Sequence, residues 1–192
     1  MKYYLATFLI MSFEILHGQN LEIKVKNGDK KEIEGKQQLE RILKIYGSKI
    51  DKWLFTKEII IDKNVIPFSH PVLTLNCDYL ENNPKQLSNF LHEQFHWYVE
   101  SMPMQEKNAI NEFKQIFPVV PVKGNEGARD EYSSYLHLIV CDLEFQALTK
   151  VIGEKPAREL LAEWNHYTWI YKTIFEDKRV REINVKNGFV TP

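Results

Sequence analysis

The segment that most restricts how this chain can fold begins at Asn83-Pro84. Asparagine is a favoured helix N-cap, and proline suits the first helical position, where its missing N–H costs nothing. Downstream, Leu87, Phe90, Leu91, Phe95, Tyr98 and Val99 fall on one apolar stripe, so an amphipathic helix is predicted over 84–100. His92 and His96 are four residues apart, which sends both rings out from the same face, one turn apart. Glu93 lies further round, where its carboxylate can reach a water without taking a ligand position. The pattern is His-Glu-x-x-His on a helix: two imidazoles for a divalent metal, zinc by ligand type, and one base beside it.

The rest of the chain reads as strands first and helices afterwards. Leu21 to Lys26 alternates apolar and polar residues, and Asn27-Gly28-Asp29 predicts a hairpin returning through Lys31-Glu-Ile. Gln37 to Tyr46 has helical spacing in Leu39, Ile42, Leu43 and Tyr46, with Gly47 as its stop. Glu58 to Asp62 and Pro71 to Leu75 are strand candidates. Helices are predicted over roughly 84–100, 105–116, 128–151 and 155–177, with a closing strand at Val180 to Val185. This order argues for an α+β fold, a small N-terminal β-sheet followed by a helical half.

Residues 1–18 differ in character from the rest of the chain. Met1-Lys2 starts positive, an apolar run extends from Tyr3, and Gly18 precedes Gln19-Asn20. This reads as a signal peptide, which makes 19–192 one mature domain, secreted or periplasmic. No other segment has the length and apolarity for stable membrane insertion. The 27% charged residues balance to a net charge of −1, which leaves no electrostatic reason to expect nucleic acid or an anionic membrane as partner. Cys77 and Cys141 are the only cysteines, and two buried free thiols are expected.

A catalytic zinc site needs a third protein ligand. The metzincin extension of the motif would put Gly at 99 and His at 102, where this chain has Val99 and Met102. A glutamate on a later helix is the remaining common solution. In the predicted 128–151 helix, Glu144 shares its face with Val140, Cys141, Ala147, Leu148 and Val151. A carboxylate in such a stripe costs several kcal/mol (about 2–7) unless paired or bound to metal, so Glu144 is the first candidate. Glu131, placed on the polar face with Tyr135, Asp142 and Gln146, is the second. His137 shares the face of Glu144 but sits about 10 Å along the helix axis, and suits support, substrate contact or core packing. In the aromatic stretch Trp164 to Tyr171, His166 or Tyr167 could donate a hydrogen bond to an oxyanion.

On His92-Glu93-x-x-His96 and a later Glu144, the chain resembles the gluzincin metallopeptidases, the thermolysin-like class. The resemblance implies a zincin-like architecture, zinc held by His92, His96 and a glutamate, and Glu93 as general base against a peptide or protein substrate. It also implies a sheet whose edge strand, here Pro71 to Leu75, binds extended substrate. The chain departs from the class in its longer stretch between motif and glutamate, and in Leu148 one turn after Glu144. A secreted zinc-binding protein that keeps the metal helix without catalysis is the alternative expectation.

Overall fold

The structure, a computed structural model, describes residues 21–191; the expected signal peptide lies outside them. Strand β1 (Glu22–Val25) leads to helix α1 (Lys30–Ile50), strands β2 (Glu58–Ile61) and β3 (Leu73–Leu75), and helix α2 (Asn83–Glu100). Helices α3 (Pro103–Ile116), α4 (Glu131–Ile152), α5 (Glu154–Ala162), α6 (Thr168–Glu176) and α7 (Lys178–Lys186) complete the chain. The fold is α+β, as the order of patterns predicted.

The predicted hairpin at Asn27-Gly28-Asp29 does not form. Asp29 instead caps α1, its Oδ1 accepting from the Glu32 N–H at 3.1 Å. The Glu32 carboxylate folds back to accept from the backbone N–H of Asn27 at 2.6 Å and of Gly28 at 2.9 Å. This reciprocal capping makes a turn signal into a helix start. Strand β1 then pairs in parallel with β2, Ile23 opposite Ile59, and β2 pairs in parallel with β3, Ile61 opposite Leu75. Helix α1 lies close over the sheet at Gly35, where a Cβ would meet Ile61 Cγ2 at 2.9 Å and Cys77 Sγ at 3.1 Å.

Strand β3 is at the sheet edge, but part of its outer side is taken. Phe68 exchanges two backbone hydrogen bonds with Thr74, at 3.0 and 2.8 Å, in antiparallel sense. The strap around Phe68 is held against α2 by Trp97, whose indole donates to the Ser69 carbonyl at 2.9 Å. The His70 ring stacks on Trp97 at 4.2 Å, and its Nε2 meets the Glu100 carboxylate.

Helix α2 begins as read, with its cap one residue earlier: Asn82 Oδ1 accepts from the Lys85 N–H at 3.0 Å. Helix α4 is the axis of the helical half and touches every other helix. It therefore has no polar face: Tyr135 and Asp142, placed there by periodicity, are both buried. Asp142 is satisfied by Arg181 at 3.1 Å and Asn184 at 2.9 Å. The long helix expected over 155–177 breaks between α5 and α6, where Tyr167 takes a left-handed conformation at φ 55°. The expected last strand is α7, because Val180, Ile183 and Asn184 have helical spacing and all three are buried. Cys77 and Cys141 are free, Cys141 buried and Cys77 half-buried. Among the described residues no helix is long and apolar enough to cross a membrane.

Candidate metal centre

Helix α2 packs across α4, and the crossing sets the site. The rings of His92 and His96 have centroids 5.1 Å apart. From α4, the His137 ring comes within 5.4 Å of His92 and 5.1 Å of His96. Each imidazole can offer one nitrogen, and the three nitrogens lie within 4.8 Å of one another. His92, His96 and His137 are thus positioned to hold a metal ion. A second group, His92, Cys141 and Glu144, meets the same distance and shares His92.

Neighbouring groups decide which ring nitrogen is free. His137 Nδ1 is 2.6 Å from the Ser133 carbonyl, one turn back on α4. A carbonyl only accepts, so that nitrogen carries a proton and Nε2 keeps its lone pair. His92 Nδ1 is 2.9 Å from Glu144 Oε2, which fixes that ring in the same sense. Carbonyl and carboxylate supports of this kind are what metal-binding imidazoles use to hold their tautomer. Glu144 itself is buried and also accepts from Tyr171 OH at 2.9 Å and from Ser88 Oγ.

The electrostatics suit a donor set. Burial holds His96 well below the ordinary histidine range and His137 down to about 3, with the charge of His92 adding to both. Neutral rings are the form that binds metal. Burial also opposes charge on His92, but its hydrogen bonds to Cys141 and Glu144 outweigh that and raise its pKa well above ordinary. A metal arriving at His92 Nε2 must displace that proton. Glu93 is buried beside them. Burial pushes its carboxyl up to about 7, with the His92 charge pulling the other way. Such a group can take and return a proton near neutrality.

A cavity of about 490 Å³ is lined by His92 and Glu93 together with Ile66, Pro67, Glu144, Trp164 and His166. His166 lines this cavity, its ring 4.9 Å from Trp164 and 5.1 Å from Tyr167. Tyr167 also lines the cavity, its ring 4.3 Å from His137.

His137 groups with both motif histidines, and Glu144, expected as the third ligand, belongs to the second group. Glu144 groups with His92 and Cys141, and not with His96. The reason is the crossing of the helices: His92 lies between two α4 residues seven positions apart, one at its ring face and one at its Nδ1. The argument that a buried Glu144 needs a cationic partner holds, and the partner in the chain is His92. Glu131 sits exposed in the first turn of α4 with Lys114 at 3.6 Å, outside both groups. The clue to His137 in the sequence was its two-turn separation from Glu144, which lets one residue of α2 meet both. Compared with profiles of known families, with curated proteins and with solved structures, the chain matches none.

Proposed function

We propose that this chain is a secreted, zinc-dependent metallopeptidase of zincin-like architecture. The observation that carries the reading is the meeting of His92, His96 and His137 beside the buried carboxyl of Glu93, with His92 and Glu93 lining a cavity. Three nitrogen donors with an open side are the donor set of a catalytic zinc site rather than a closed structural one. Bound there, zinc would supply Lewis acidity, polarising a carbonyl and acidifying water. Glu93 takes the proton from the attacking water and returns it to the leaving amine. Tyr167 and His166 line the cavity where a donor to the developing oxyanion is needed. Glu144, which lines the same cavity, holds the tautomer of His92.

The gluzincin likeness is then confined to the motif helix and the sheet before it, since the third donor is a histidine. Because Phe68 occupies Thr74, extended substrate would pair with the outer side of the strap around Phe68 rather than with β3 itself. The deciding experiment uses purified protein, zinc content by mass spectrometry and hydrolysis of an unfolded protein substrate. Glu93→Gln is expected to keep one zinc per chain and to lose hydrolysis. An active Glu93→Gln variant removes the mechanism, and stoichiometric zinc without hydrolysis in the wild type leaves a zinc-binding protein.

A further inference from the structure

We infer that His92, Cys141 and Glu144 form a second metal site, one that takes a soft divalent cation such as cadmium and is entered from the cavity; it does not rest on the peptidase reading. Cys141 and Glu144 stand three residues apart on α4 and so share a face, and α2 brings His92 to them. A sulfur, a carboxylate oxygen and an imidazole nitrogen lie there within 4.8 Å of one another. Cys141 and Glu144 are 0% and 1% exposed, and His92 is 8%. A metal site must show suitable ligands in sufficient number, bonds that support them and a path of entry. This group has each of these.

The carboxylate is held by its neighbours. Glu144 Oε2 accepts from Tyr171 OH at 2.9 Å and lies 2.9 Å from His92 Nδ1, while Oε1 accepts from Ser88 Oγ. A carboxylate oxygen offers two lone pairs, so Oε1 keeps one beyond the Ser88 bond. Cys141 is hydrogen-bonded to His92 and Tyr171, so its sulfur faces polar groups rather than the aliphatic interior that suits an inert thiol. The path of entry is the cavity. Among the described residues it is lined by His92, Glu144 and Tyr171, whereas His96, His137 and Cys141 do not line it. An ion therefore reaches the imidazole and carboxylate of this group first and its thiol last.

Ligand chemistry separates the two groups. Three neutral imidazoles leave a divalent ion with its full charge, which is what Lewis acidity needs. In the second group the Cys141 thiol gives its proton to water as the metal binds, with His92 neutral as a ligand must be. Thiolate and carboxylate then cancel the two charges of the ion. A neutralised ion is the form that a buried site holds most readily. The thiolate also favours soft cations over the hard ones that oxygen ligands select. Cadmium, divalent and softer than zinc, meets both conditions.

The test uses metal-free protein in a Cys77→Ser background, which leaves Cys141 as its one thiol. Cadmium alone is added, and its NMR resonance and the sulfur-to-cadmium charge-transfer absorption in the ultraviolet are recorded. Cadmium is expected to bind with that absorption, and with a resonance displaced toward the thiolate range from that of nitrogen and oxygen ligands. This readout needs no change within the site. Cys141→Ala should abolish the absorption and weaken cadmium binding by more than about 10–100-fold, the scale for removing a mere support of a ligand. His137→Ala should keep the absorption and bind cadmium within about threefold of the background protein, although it weakens zinc. Melting curves without metal report that each variant is folded. No bound cadmium, a resonance in the nitrogen and oxygen range, or an affinity that follows His137 rather than Cys141 overturns the inference. Zinc content and hydrolysis are measured separately, so failure here leaves the peptidase reading standing, and the reverse holds too.

Discussion

Glu144 Oε2 lies 2.9 Å from His92 Nδ1, and His92 is shared between a group with His96 and His137 and a group with Cys141 and Glu144. In the proposed reading Glu144 supports a ligand, whereas in the group with Cys141 it would itself be one, and the two roles predict different losses. Glu144→Gln should weaken zinc binding by about 10–100-fold, the usual effect of removing such a support. His137→Ala removes a donor from a set of three, and its loss should be larger. Competition against a chromophoric chelator measures both. A Glu144→Gln variant that loses zinc entirely, beside a His137→Ala variant that keeps it, would return Glu144 to the ligand set.

Much of this centre was legible in the sequence because it depends on local geometry. The spacing of His92, Glu93 and His96 and the Asn-Pro start fix a face of one helix, and helix geometry is the same in any fold. The strand at Glu58–Ile61 and the edge strand ending at Leu75 were likewise set by short apolar runs between turn residues. What was lost depends on which helices cross. His137 and Glu144 are both buried candidates on α4, and only the position of α2 across that helix brings each beside His92. The early hairpin failed for a chemical reason instead: Asp29 satisfies the Glu32 N–H in the first turn of α1, and Glu32 satisfies the N–H groups of Asn27 and Gly28 ahead of the helix. Asp142 was placed on a polar face that a central helix does not have.

That same Asp142 sets a stability prediction. Its carboxylate joins α4 to α7 through Arg181 at 3.1 Å and Asn184 at 2.9 Å, in the interior. Removing it leaves the Asn184 amide buried with one fewer acceptor, although Arg181 is partly exposed and can turn to water. Asp142→Ala should therefore cost about 2–3 kcal/mol of unfolding free energy, below the full cost of breaking a wholly buried pair. Urea denaturation measures it, with an unchanged slope expected if only the native state is affected. A cost under about 0.5 kcal/mol would show that α7 does not depend on this contact.

The two thiols should be slow to react. Burial, with Glu32 adding, pushes the Cys77 thiol up to about 11, and burial raises Cys141 as well. Since the thiolate is the nucleophile, little of it is present at pH 8. Titration with a disulfide reagent should show slow modification in the native protein and two fast thiols in denaturant. A thiol that reacts fast in the folded chain would mean that the Cys77 side of α1 opens far more readily than its packing at Gly35 implies.

Acid should weaken the start of α1. Burial works against the Glu32 charge, but hydrogen bonds from Asn27 and Gly28 outweigh it and lower the carboxyl below its ordinary value of 4.5. A group whose folded pKa is depressed contributes stability that is fully present above its unfolded value and lost as pH falls through the folded one. Glu32→Gln should thus lower Tm by about 2–4 °C at pH 7, because a neutral amide accepts the same N–H groups more weakly. As pH falls below 4.5 the wild type loses this advantage, and the two melting curves should converge. Curves separated by a constant interval at all pH values would assign the difference to packing rather than to the charge on Glu32.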